Sequence, residues 1–181
     1  RNHYTYIQEG INDASPGDII NIMPGTYTAY DRALAIVDKS LVLEGAGQSD
    51  DGLVTLLYCG AYGLGPDNTG LGINWPRAMV IQADDVTVRN LRIKGYQGDG
   101  TTFGGYGVVS RASAAWGVSE PSLDNILIED ITFADCLYGV RGQNVTAMTV
   151  QRTSNEVASG LSWPDKRPGN PEFAGFQVLN I

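Results

Sequence analysis

Guanidinium and amide side chains recur in this chain at matching places in short apolar runs. The runs are Ala78-Met-Val-Ile-Gln82, Tyr106-Gly-Val-Val-Ser110, Tyr138-Gly-Val-Arg-Gly142 and Ala174-Gly-Phe-Gln-Val-Leu179. If the residue after each Gly points inward, strand alternation turns the next one outward. That rule places Val80, Val109, Arg141 and Gln177 in one outward row, and Gln82, Arg111, Gln143 and Leu179 in the next. Arg offers a planar fork of donors that matches a carboxylate, and Gln both donates and accepts. Together they suit an anionic sugar chain. The plainer alternative is a solvated face whose long side chains cover the sheet. Trp75, Trp116 and Trp163 fall in the segments that border these runs, with Tyr62, Tyr96 and Phe103. Aromatic rings there either grip sugar rings or pin the loops to the body of the protein.

Catalytic and metal chemistry is harder to find. His3 is the one histidine and reads as a surface residue. There is no Ser-His-Asp set and no zinc spacing, and the Gly-rich stretches lack the Lys of a phosphate loop. Asp84 and Asp85 fall at a corner, Asp130 at another, and Asp50 and Asp51 in a loop, so the acids do not gather on one strand face. No cofactor is expected, with calcium at Asp67 or Asp99 as the alternative. Cys59 and Cys136 are separated by an intervening repeat. Two strand spacings of roughly 4.8 Å put their backbones about 10 Å apart, beyond disulfide reach, so free thiols are expected. Asn144-Val145-Thr146 is a glycosylation sequon, which makes Asn144 a candidate acceptor.

The bulk properties narrow the class. Twelve basic against 20 acidic residues leave a net charge of −8, which repels a phosphate backbone and argues against nucleic acid as a partner. No unbroken apolar run is long enough to span a membrane. The chain opens at Arg1 without an initiator Met or a signal peptide, as expected of a processed secreted chain or an excised piece of a longer one. An extracellular or cell-surface location follows as the expectation.

The elements that must position these residues come from a repeat. Asp85 to Gly95 reads as two short strands separated by a polar corner at Asn90. Asn125 to Asp135 repeats it with Asp130 at the corner, and Asn144 to Ser154 repeats it with Thr149 there. A looser copy is Ser40 to Gly45, resuming at Val54 to Leu57. A further strand precedes each copy, beginning with Ala33 to Val37, so each repeat holds three strands, a, b and c. One such repeat cannot bury its inward row alone; stacking the repeats buries a continuous Val/Ile/Leu column. The expected fold is all-β, a right-handed single-stranded parallel β-helix of about four to five coils. An antiparallel β-sandwich is the alternative. Tyr4 to Ala14 reads as a helix, with Ile7 and Ile11 on one face, stopped by Ser15-Pro16-Gly17-Asp18. It would cap the open edge of the first coil. The domain reading is a single unit, 1–181, with cap helix and turn over 1–17 and coils over 18–181. The last strand lacks its b and c partners, so either more coils or a neighbouring molecule is expected beyond it.

The segments Tyr6 to Ala14, Gly17 to Tyr27 and Ser40 to Gly47 together resemble the entry segment of the pectin-lyase-like superfamily. The resemblance is close over these segments and generic beyond them. It implies the right-handed β-helix, and it brings polysaccharide lyases, esterases and glycoside hydrolases into view. Arg92-Ile93-Lys94 resembles one motif of the galacturonase-type hydrolases, but their Asn-Thr-Asp and Gly-His-Gly elements are missing. No complete catalytic constellation is visible, so the enzyme question stays open. The leading expectation is a secreted or cell-surface module with a structural or assembly role and polysaccharide binding along strand a. The rival is the N-terminal part of a polysaccharide-degrading enzyme, in which Arg111 and Arg141 would bind or deprotonate a uronate. A third reading is a self-assembling unit whose partners are further copies of the same protein.

Overall fold

Apolar residues at alternate positions, interrupted once by an Asn or Asp, produce the two longest strands among the described residues. A computed structural model describes residues 3–29, 35–48, 55–59, 77–94, 106–111, 122–134, 136, 138–143, 145–156 and 176–179. After helix α1 (Ile7–Asp13) come β1 (Ile19–Asn21), β2 (Gly25–Ala29), β3 (Ala35–Val37), β4 (Val42–Glu44), β5 (Thr55–Cys59) and β6 (Arg77–Ile81). They are followed by β7 (Thr87–Lys94), β8 (Tyr106–Arg111), β9 (Ile126–Ala134), β10 (Tyr138–Gln143), β11 (Met148–Gln151), β12 (Ser154–Glu156) and β13 (Phe176–Leu179).

Among the described residues the fold is all-β, with parallel sheets and one short helix. Among the described residues every strand pairing is parallel, which does not fit the antiparallel sandwich. One sheet runs β3-β6-β8-β10-β13 and gathers the expected a strands. The other holds two rows. Strands β1, β4, the first half of β7, the first half of β9 and β11 form one row. Strands β2, β5, the second halves of β7 and β9, and β12 form the other. The chain thus passes through the rows in the same cyclic order each time.

The joint between the two rows is made by single residues. Asn90 and Asp130 have φ of 57° and 52°. Short polar side chains tolerate this left-handed conformation better than others do. It resets the alternation, so Val88 and Leu91, three residues apart, are both buried. The same holds for Ile128 and Ile131. The inward rows Leu43–Val88–Ile128–Val150 and Ala35–Met79–Val108–Val140 stack in register. Burying each such side chain contributes roughly 1.5–3 kcal/mol before chain entropy is counted. Gly45 precedes the corresponding turn of the first repeat; a Cβ there would lie 2.2 Å from the carbonyl oxygen of Asn90, so the close approach demands glycine.

Two sequence expectations need correction. Thr149 does not stand at the third corner. It pairs with Leu127, Gln151 pairs with Glu129 and Ser154 with Thr132, so the residue level with Asp130 is Arg152, at φ 49°. A long cation is an unusual occupant of that conformation. Its cost is offset by a two-point ion pair, Arg152 Nε to Asp130 Oδ1 at 2.7 Å and Nη2 to Oδ2 at 2.8 Å. The helix is also shorter than expected. Tyr6 ends it by donating its backbone N–H to Glu9 Oε2 at 3.2 Å, which leaves Tyr4 and Tyr6 outside and exposed.

Helix α1 buries Ile7, Gly10 and Ile11 against the first strands. Its last carbonyls are gathered by Lys39 Nζ, at 3.0 Å from Ile11 O, 2.7 Å from Asn12 O and 3.1 Å from Ala14 O. Its Gln8 does for β3 what a neighbouring strand would do. The side-chain amide accepts from Ile36 N at 2.7 Å and donates to Ile36 O at 3.2 Å. The helix ahead of the strands is therefore present, and its contact with β3 is a specific one.

Candidate functional site

Strand register places several of the residues singled out from the sequence at matching positions of the five-stranded sheet. Val80 pairs with Val109, Val109 with Arg141, and Arg141 with Gln177. Arg111 pairs with Gln143 and Gln143 with Leu179, while the pairing of Ile81 with Ser110 brings Gln82 level with Arg111. The inward neighbours Val108 and Val140 are core residues, as the Gly-based alternation requires.

The surroundings of these positions are uneven. Val80 and Val109 are buried although they stand outside the continuous core. Gln82 and Arg141 are half-buried, and Gln82 donates its backbone N–H to Val37 O at 2.8 Å. Strand positions are described for Arg111, Gln143 and Gln177, but not their side chains. Trp75, Trp116, Trp163 and Asn144 lie outside the described residues, as do Tyr62, Tyr96, Phe103, Asp50, Asp51, Asp67 and Asp99.

A second polar row, on the larger sheet, was not anticipated. The register sets Asn21, Glu44, Arg89, Glu129 and Gln151 side by side. Arg89 reaches Glu44 Oε2 with Nη2 at 2.7 Å and Nε at 3.2 Å, and its Nη1 lies 3.9 Å from Glu129 Oε1. Glu129, nearly buried, also receives Arg152 Nη2 at 2.5 Å and Gln151 Nε2 at 2.8 Å. Asn90 Nδ2 completes the first carboxylate, 3.1 Å from Glu44 Oε1. The hydrogen bond from Arg89 holds the Glu44 carboxyl below its ordinary range, with help from Asn90 and against some desolvation. The bond from Arg152 does the same for Asp130, and Arg152 is in turn raised, first by Asp130 and then by Glu129. Carboxylates so held stay ionised at neutral pH and are poorly suited to acid–base work. The row ties neighbouring strands together. Its signal in the sequence was the acid–base alternation at one strand position, obscured because Arg152 was read out of register.

Other residues fall as follows. His3 is exposed. Within Arg92-Ile93-Lys94, Ile93 is a core residue and the two cations flank it on the other face, half-buried. The Sγ of Cys136 lies 3.7 Å from the carbonyl oxygen of Ile93. At a second corner Asn125 Nδ2 donates to Asp85 Oδ1 at 2.7 Å and Asp124 N to Asp84 Oδ1 at 2.8 Å, so this acidic pair does structural duty. Among the described residues no group of three or more His, Cys, Asp or Glu is placed to hold a metal ion, and no helix is long and apolar enough to cross a membrane.

No protein-family model matches the chain, and no curated protein or solved structure does either.

Proposed function

We propose that the chain is a stretch of right-handed, single-stranded parallel β-helix of the pectin-lyase-like kind, serving as a secreted or cell-surface module that binds an acidic polysaccharide along its five-stranded sheet. The cyclic visiting order of the three strand rows supports the helical winding, since parallel crossovers are right-handed with few exceptions. The polysaccharide reading rests on one observation above all: the register that sets Arg141 beside Gln177 and Arg111 beside Gln143 on one face. Successive strands about 4.8 Å apart would present donors at regular intervals along an extended chain of sugars.

Retention of the protein on immobilised polygalacturonate tests this. The Arg141→Ala, Trp163→Ala double variant should elute earlier than the parent, and earlier elution should persist in moderate salt. Unchanged retention would sink the reading. Incubating the parent with the same polymer separates binding from lyase chemistry, because elimination creates an unsaturated product that absorbs in the ultraviolet; a steady rise would replace the binding role with an enzymatic one.

A further inference from the structure

The open side of β1 is an unusual surface. Val42 N donates to Asp18 O at 3.0 Å and Ile22 N to Glu44 O at 2.7 Å, so Asp18, Ile20 and Ile22 turn their backbone groups toward β4. In a parallel strand the alternate residues then face the other way. The N–H and C=O of Ile19 and Asn21 point away from β4, and among the described residues β1 has no other strand beside it. Beside β1 lies a cleft of about 780 Å³, lined also by the segment from His3 to Tyr6 and by Ile7, Gly10 and Asp13 of α1. Among the described residues the large apolar side chains that stand exposed are Tyr4 (42%), Tyr6 (68%), Ile19 (56%) and Met23 (65%), and all four line this cleft. Among the described residues its charged lining consists of Asp13 and Asp18.

We propose that this cleft is a docking site for an extended, basic peptide segment that adds to the sheet along β1. Backbone pairing with Ile19 and Asn21 supplies the affinity common to strand addition, and alternate side chains of the guest supply the selectivity. Its apolar side chains cover Ile19 and Met23 and lie against Tyr4 and Tyr6. Its Lys or Arg residues face Asp13 and Asp18, and the net charge of −8 draws such a segment in from a distance. The choice of a peptide over a sugar comes from the edge itself. Two donors and two acceptors in strand spacing match a polypeptide backbone, whereas the hydroxyls of both flanking tyrosines that face inward are engaged, Tyr4 Oη with Asp13 and Tyr27 Oη with Met23 O. The site lies on a different sheet from the proposed polysaccharide face, so neither proposal depends on the other.

The probe is a fluorescent hexapeptide, Lys-Val-Lys-Val-Lys-Val, titrated with the 181-residue protein and followed by anisotropy. A second peptide of the same sequence, methylated on alternate backbone nitrogens, keeps charge and apolar area but cannot pair along one edge. The first should bind at least about tenfold more tightly than the second, a difference of about 1.4 kcal/mol. Asn21→Pro should weaken binding of the first peptide to a similar degree, because it removes an outward N–H without touching the β4 pairing. Ile19→Lys, at an exposed position, repeats the test should the proline variant fail to fold. Equal binding of the methylated peptide, or of a Glu-Val analogue, overturns the proposal, as does no binding at all. Displacement of the peptide by a neutral oligosaccharide would reassign the cleft to sugars. Sedimentation showing a dimer of the parent that Asn21→Pro abolishes would reassign it to a second copy.

Discussion

Among the described residues, strands β1 and β3 each open a sheet row and each pair with one neighbour, β4 and β6, but their outer edges meet different surroundings. The outward N–H and C=O of Ile36 are both taken by the amide of Gln8. The outward groups of Ile19 and Asn21 face a cleft rimmed by exposed apolar side chains. An unpaired edge is a template for any passing strand, and proteins commonly blunt it with charge, proline or a covering element. Helix α1 has seven residues, about two turns, and its buried stripe of Ile7, Gly10 and Ile11 fixes which way Gln8 points. One short helix reaches one edge. The contrast teaches that the cap is selective, protecting the smaller sheet and leaving the larger one ready to pair.

The comparison can be broken at its hinge. Ile11 is fully buried, so Ile11→Ala should cost about 2–5 kcal/mol and loosen the helix together with its hold on β3. Denaturant unfolding would show it, and an unchanged midpoint would mean that the helix adds nothing to the stability of the fold. Gln8→Ala should cost less, about 1–3 kcal/mol, because it strands the half-buried backbone of Ile36 without a partner. Faster amide exchange at Ile36, with β1 unaffected, is the expected signature. Acid provides a third handle, acting on the body of the larger sheet instead of on the edges. The carboxyls of Glu44 and Asp130 are lowered chiefly by hydrogen bonds from Arg89 and Arg152. Their contribution is therefore complete above the ordinary carboxylate range of about 4 and is lost as pH falls through the lowered values. Arg152→Met should flatten this acid dependence, measured as thermal midpoint against pH. The smallest effect belongs to the open edge. Met23→Ser, at an exposed position, should change stability by no more than about 0.5 kcal/mol, in contrast to Gln8→Ala.

Much of the larger pattern was legible from residue order. The alternation around Asn90 and Asp130 announced bent strands, because a left-handed residue between two apolar runs leaves few other readings. The Gly-x-x patterns of β8 and β10 gave the correct facing of Val108 and Val140. The third corner was missed because Val145 and Ala147 alternate as well as Met148 and Val150 do, so the strand can be read in either of two frames. Local pattern cannot choose between them. The carboxylates of Glu129 and Asp130 choose, by holding Arg152 at the bend.

By itself the sequence determined the strand class, the three-part repeat, the helix ahead of it and the inward positions of Val108 and Val140, because each depends on periodicity within a few residues of chain. Tertiary structure decided the rest. The charged row from Glu44 through Arg89 to Glu129 spans pairs 45 and 40 residues apart, by subtraction of their numbers, and exists only once strands lie in register. The cover on β3 and the open cleft beside β1 likewise depend on where one short helix comes to rest. Edges are properties of assembled sheets, and nothing in the local order of residues states which edge a helix will reach.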